Sequence, residues 1–152
     1  MVVVQTRIVI EAPIRRCFDL ARDIDAHTRT VWKHTKEKAV DGVTSGPIGL
    51  GQTVTFEATH FGMRQRLTSL ITEFREPSLF VDEMQQGAFK KLRHVHEFEE
   101  ADGRTVMTDT LYFEAPLGMI GRAAEILVLK TYMRRFLEHR NAQLKKLAEQ
   151  PA

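Results

Sequence analysis

Residues 89–115, FKKLRHVHEFEEADGRTVMTDTLYFEA, decide the fold. Asp102-Gly103 in the middle is a strong signal for a two-residue hairpin loop, since such a turn needs positive φ at both central positions. Counting outward from that turn, Ala101 faces Arg104, Phe98 faces Met107, His96 faces Asp109 and His94 faces Leu111. Side chains alternate along a strand, so one face carries Leu92, His94, His96, Phe98, Met107, Asp109, Leu111 and Phe113. The other carries Val95, Glu97, Glu99, Val106, Thr108, Thr110 and Tyr112. The first face is the more apolar and should be the concave, covered one, yet it holds two histidines and a carboxylate.

What covers it follows directly in the chain. Pro116 and Gly118 end the sheet, and from about Ile120 to Glu149 there is no proline and, after Gly121, no glycine. Ile126, Leu129, Met133, Phe136, Leu137, Leu144 and Leu147 recur at helical spacing, which predicts one helix about 42 Å long. Its bases (Arg122, Lys130, Arg134, Arg135, Arg140, Lys145 and Lys146) read better as a solvated face than as a membrane or acidic-partner surface.

Upstream, Phe61-Gly62 marks another hairpin, in which His60 faces Met63, Ala58 faces Gln65 and Phe56 faces Leu67. Glu57 and Arg66 then pair on the solvated side. Strands are also expected at 2–10, 36–41 and 79–86. Pro13 opens a short helix through Ile14, Cys17, Phe18 and Ala21, and Asp23 or Asp25 caps a second one ending near Trp32. The expected class is α+β: a curved antiparallel sheet of about seven strands, two short N-terminal helices and one long C-terminal helix.

Composition agrees with one domain over residues 1–150: the chain has 152 residues, 43 % hydrophobic and 28 % charged. A single cysteine, Cys17, rules out a disulfide framework and reads as an inert core thiol. No apolar run approaches the roughly 20 residues of a membrane span, and MVVVQTRIVIEAP has neither a basic leader nor a cleavage site, so a cytoplasmic protein is expected. A net charge of +2 gives no support for nucleic-acid binding. The oligomeric state is not legible.

This order of elements resembles the helix-grip fold of the SRPBCC superfamily, which includes START domains, Bet v 1-like plant proteins and polyketide cyclase/dehydrase-like proteins. The resemblance spans essentially the whole chain. It is carried by IVIEAPIRRCFDLARDID (8–25), DGVTSGPIGLGQTV (41–54), ATHFGMRQRLTSLITEFREPSLFVDE (58–83), FKKLRHVHEF (89–98) and GRTVMTDTLYFEAPLG (103–118). It implies a sheet gripping the helix around a cavity for small apolar or aromatic molecules. The glycine-rich loop would then help to shape the cavity mouth.

The inward set defines the candidate site. Phe56, Met63, Leu67, His94, Leu111 and Phe113 are expected to line the cavity, with His60 and Gln65 beside them. Trp32 either stacks on a ligand ring or caps the core. His96 opposite Asp109 is the sharpest feature. A buried carboxylate is costly unless paired, and an imidazole across the strand would pair it and gain basicity. As a catalytic dyad, His96 would move a proton, Asp109 would orient it, and Gln65 or His60 would hydrogen-bond a substrate oxygen. As a structural pair, the two would only satisfy each other.

His94, His96 and His60 as a zinc set lack supporting Asp, Glu or Cys at a matching spacing, so no metal is expected. The loop GVTSGPIGLG (42–51) lacks a Gly-Lys-Ser/Thr ending and leads into a strand, so no nucleotide cofactor is expected either. His27 and His34 are expected to face solvent. Three functions remain: a binder of a small hydrophobic molecule, a cyclase or dehydratase using His96 and Asp109, and a regulatory or quinone- or partner-binding domain.

Overall fold

A computed structural model describes residues 1–151, with all their side chains except those of Glu125 and Ile126. Strands β6 (Lys91–Ala101) and β7 (Arg104–Glu114) form the expected hairpin, with His96 opposite Asp109 and His94 opposite Leu111. Asp102 and Gly103 both have positive φ (56° and 78°), as the two-residue turn requires. Strands β3 (Thr53–His60) and β4 (Met63–Arg75) pair in the same way around Phe61 and Gly62, also at positive φ.

With β1 (Val2–Ile10), β2 (Lys38–Gly42) and β5 (Leu79–Gln86) these make one seven-stranded antiparallel sheet, ordered β1-β7-β6-β5-β4-β3-β2. Register shifts in the β4–β5 ladder, at Thr68/Ser69 and Ile71/Glu73, bend those strands, as extra residues in a ladder do. The curved sheet is the helix-grip sheet.

Helices α1 (Ile14–Ala21) and α2 (Ile24–Thr30) follow β1. Asp23 is the cap of α2, accepting the Ala26 N–H at 2.9 Å. Asp25 instead accepts from Ser45 Oγ and the Gly46 N–H, tying the 42–51 loop to the helix. Ile48 of that loop is buried.

The C-terminal segment is helical from Gly118, two residues earlier than expected, and it is not uniform. Helix α3 (Gly118–Ala124) passes through one π-helical turn (Glu125–Leu129) into α4 (Lys130–Glu149). The side chain of Ile126, expected in the apolar stripe, lies outside those described. Helix α4 packs against β1, α1 and α2.

Two apolar clusters hold the layers together. Phe18 of α1 meets Phe74, Phe80 and Phe98 edge-on, with ring centroids 5.4–5.6 Å apart, and Cys17 is buried beside it. Val4, Leu111, Phe113 and Leu137 form the second cluster under α4. Between the clusters the concave face does not close, and a cavity of about 410 Å³ remains.

Candidate functional site

The cavity is walled by apolar side chains, among them Ile24, Val54, Phe56, Leu67, Leu111 and Met133. A cluster of charged and polar groups on β5, β6, β7 and α4 sits at one end, and its anchor is Asp109, which is fully buried. His94 Nε2 lies 2.7 Å from Asp109 Oδ1, and Arg140 Nη1 lies 3.3 Å from the same oxygen. Asn141 Nδ2 donates to Asp109 Oδ2 at 3.0 Å and to Thr6 Oγ1 at 3.1 Å. His96 Nε2 binds Asp82 Oδ2 at 2.8 Å, while its Nδ1 lies 3.2 Å from Asp109 Oδ1 without an aligned hydrogen bond. The imidazoles of His94 and His96 stack at 3.7 Å, and Phe80 covers the other side of His96 at 4.0 Å.

The charges of this cluster stand in opposed pairs. Burial pushes the Asp109 carboxyl up, but its contacts with His94 and His96 and the charges of His94 and Arg140 outweigh burial and hold it well below the usual range. Asp82 is likewise lowered against burial, by His96 first. Burial disfavours the His96 imidazolium, yet the carboxylates of Asp109 and Asp82 on either side win and raise its pKa. Burial lowers the His94 pKa, the neighbouring His96 charge lowers it further, and Asp109 only partly opposes. Two carboxylates thus face Arg140 and His96, which they hold toward its protonated form, while His94 is held toward its neutral form.

An ionised Asp109 only accepts hydrogen bonds, so the His94 proton sits on Nε2 and Nδ1 carries a lone pair. His94 Nδ1 makes no hydrogen bond among the described residues. His94, His96, Asp82 and Arg140 all line the cavity.

A second polar pair stands apart. His60 Nδ1 and Tyr132 Oη are 2.6 Å apart, where Phe61 and Met63 also line the cavity. Burial lowers the His60 pKa and raises that of Tyr132, so both are neutral. β3 and β6 are three strands apart, roughly 14 Å along the sheet, so His60 does not join the charged cluster. Gln65 spends its Nε2 on the main-chain oxygens of His60 and Met63 at 3.5 Å.

Seven of the expected site residues line the cavity besides His96: Phe56, His60, Met63, Gln65, Leu67, His94 and Leu111. Asp109 stands behind them, against the histidines. Two others lie elsewhere. Phe113 is fully buried against Phe89, because the second apolar cluster closes over it. Trp32 packs on Tyr132 and Phe136 and stacks on His34, so it braces the cavity wall from behind.

Two expectations about single residues change as well. His27 is half-buried, lines the cavity and lies 2.8 Å from Glu37 Oε2, because α2 faces the sheet there. Arg140 is buried, not solvated: Leu137, Arg140, Asn141 and Leu144 share one helical face, so the stripe that buries the leucines buries Arg140 and Asn141 too.

Asp82, Arg140 and Asn141 were not singled out by the sequence. Asp82 sits opposite His94 in the β5–β6 ladder, but the connection at 87–90 is not a two-residue turn whose register can be counted. Donor atoms of Asp82, His94 and His96 lie within 4.8 Å of one another. The two rings are tilted by only 25°, so their lone pairs run side by side rather than to one point, and a cation there would have to turn them and break the His96–Asp82 bond.

Residues 1–149 match the family described as polyketide cyclase / dehydrase and lipid transport. The chain belongs to that family, within the SRPBCC superfamily. Solved structures share the fold. A protein from Thermus thermophilus superposes with a TM-score of 0.74 at 18 % identity, over 95 % of each chain. A START superfamily protein from Mycobacterium smegmatis superposes with 0.72 at 16 % identity, over 97 % of each chain. Ara h 8.0201 superposes with 0.67 at 14 % identity, again over 97 % of each chain. None of the curated protein sequences matches. No helix among the described residues is long and apolar enough to cross a membrane.

Proposed function

We propose that this chain binds a small hydrophobic or aromatic molecule in the cavity between the sheet and the C-terminal helix. The observation that carries the reading is the unfilled space itself. Its volume of about 410 Å³ falls in the range of small-molecule sites, roughly 300–1,000 Å³, and its walls are mainly apolar. The charged cluster at one end offers a ligand directional contacts, among them the His94 Nδ1 lone pair, which suits a hydroxyl or an enol, and the unpartnered Arg140 Nε–H. A lone, buried, unpaired Cys17 is consistent with a cytoplasmic setting.

The test uses an apolar fluorescent probe such as 1-anilinonaphthalene-8-sulfonate. Wild type should bind it with enhanced emission, and Leu111→Trp, which fills the space, should reduce binding about tenfold or more. Equal binding by both would place the probe outside the cavity and contradict the reading.

A second reading, acid–base catalysis of the cyclase or dehydratase kind, has its own observation: a neutral imidazole held in one tautomer by a buried carboxylate. His94, rather than His96, is then the base, because Asp82 and Asp109 hold His96 toward its protonated form while burial holds His94 toward its neutral one. His94 Nδ1 would take a proton from a carbon next to a bound carbonyl, and Asp109 would stabilise the imidazolium. The same proton would return to carbon or go to oxygen, so nothing is oxidised or reduced. Exchange of the α-protons of 2-tetralone in D2O, followed by NMR, tests it. Exchange above background that His94→Gln abolishes supports catalysis; background exchange by wild type removes this reading and leaves the first untouched.

A further inference from the structure

Seven of the eleven large hydrophobic residues exposed among the described residues belong to the two segments that frame the cavity mouth. Phe61 (58 % exposed) and Met63 (68 %) stand at the β3–β4 turn, and both line the cavity. Leu117, Met119, Ile120, Leu127 and Val128 are 49–89 % exposed on the stretch between Pro116 and Leu129, two residues that also line it. Phe61 and Tyr132 bring the segments together, their rings 4.5 Å apart.

Helix α3 is built to stand away from the sheet. Gly121 approaches Pro116 so closely that a Cβ there would lie 1.8 Å from the Pro116 oxygen, and the helix packs chiefly on the π turn that follows it. Soluble monomers seldom gather this much apolar surface in one place without a use for it.

Charge says what covers the patch. The three segments around the mouth (60–66, 87–91 and 116–135) hold eight Lys and Arg against one acidic residue, Glu125. The rest of the chain holds 14 Lys and Arg against 19 Asp and Glu. Lys90 pairs with Glu114, and Arg64 and Arg66 lean on Glu57 at 3.8–4.0 Å. Lys91, Arg122, Lys130 and Arg135 have no carboxylate partner among the described residues. Protruding apolar side chains on segments that also carry bases without carboxylate partners are the arrangement that suits the headgroup region of an anionic bilayer.

We propose that the cavity rim docks on an anionic lipid surface, with Phe61, Met63, Met119, Ile120, Leu127 and Val128 entering the interface and the surrounding bases meeting the headgroups. Docked in this way, the cavity mouth opens toward the bilayer. The proposal goes beyond ligand binding and does not depend on which molecule the cavity holds.

The experiment is flotation with vesicles of phosphatidylcholine, with and without phosphatidylglycerol. Wild type should float with the mixed vesicles at low salt, and lose binding when phosphatidylglycerol is left out or salt is raised. Met119→Glu/Leu127→Glu should lower partitioning at least about tenfold, Arg122→Glu/Lys130→Glu should lower it too, and Val9→Glu, on an exposed residue of β1, should leave it unchanged. Retained binding of the fluorescent probe confirms that each variant is folded. Wild type that does not float, or variants that float like wild type, would overturn the proposal. So would a concentration-dependent dimer abolished by the same substitutions in the absence of vesicle binding, since a second copy would then be the occupant. Flotation without probe binding by wild type would separate a failed cavity from a sound docking surface.

Discussion

The two ends of the cavity invert the usual distribution of polarity. At the inner end Asp82, His94, His96, Asp109, Arg140 and Asn141 are charged or polar and withdrawn from bulk water; at the mouth Phe61, Met63, Met119, Ile120 and Leu127 are apolar and exposed or partly so. Each arrangement is unfavourable by itself. The inner end is made tolerable by pairing, with each carboxylate facing a cation or an imidazole N–H. The mouth has no such internal compensation. Local rules are broken at both ends of one hollow, which is where a protein departs from them for function.

The difference predicts how unequally the ends respond to mutation. Asp109→Ala should cost about 3–5 kcal/mol in urea unfolding, since it leaves Arg140, His94 and Asn141 without their shared partner in a buried place. A loss below about 1 kcal/mol would mean that water already reaches the cluster.

The next effect is a pH dependence of opposite sign in the two histidines. His96 has a raised pKa, so its contribution is present below about 6.5 and is lost as pH rises through its folded value. His94 has a lowered pKa, so its contribution is present above about 6.5 and is lost as pH falls toward its folded value. Unfolding free energies of His94→Gln should therefore decline as pH rises from about 6.5, and His96→Gln should lose that decline. Identical profiles would contradict the unequal charges given to the pair. Asp109, with its lowered pKa, adds a loss of stability as pH falls below about 3.9, which Asp109→Asn should flatten.

The smallest expected effect lies at the mouth. Met119→Glu should change stability by no more than about 0.5 kcal/mol, because the side chain packs on almost nothing. A larger loss would show that the rim supports the fold.

The same contrast explains what was legible in the sequence. Two-residue turns at Phe61-Gly62 and Asp102-Gly103 let the ladder be counted residue by residue, so the pairing of His96 with Asp109 and of His60 with Met63 followed from arithmetic. Asp82 was hidden because its strand joins β6 through a longer turn. Arg140 was hidden because a charge on an amphipathic helix is ordinarily solvated, although its place one turn from Leu137 and Leu144 marked the buried face. That Asp109 binds His94 more closely than its cross-strand neighbour His96 depends on side-chain rotation, which no periodicity records. Phe113 falls behind the wall for a related reason: a pattern of inward-facing residues does not distinguish the wall of a cavity from the packing behind it, and for Trp32 the structure takes the capping alternative of the two that the sequence leaves open.

The most direct measurement of the central claim, a hollow with polar groups at its inner end, is NMR titration of the labelled protein with 2-naphthol. This ligand joins an apolar ring system to one hydroxyl. The account predicts that the largest shifts fall on the side chains of Leu111, Met133, Phe56 and Leu67, and that the His94 ring nitrogens shift as the hydroxyl reaches Nδ1. Shifts confined to the outer face of the sheet, at Glu97, Thr108 and Tyr112, would contradict it.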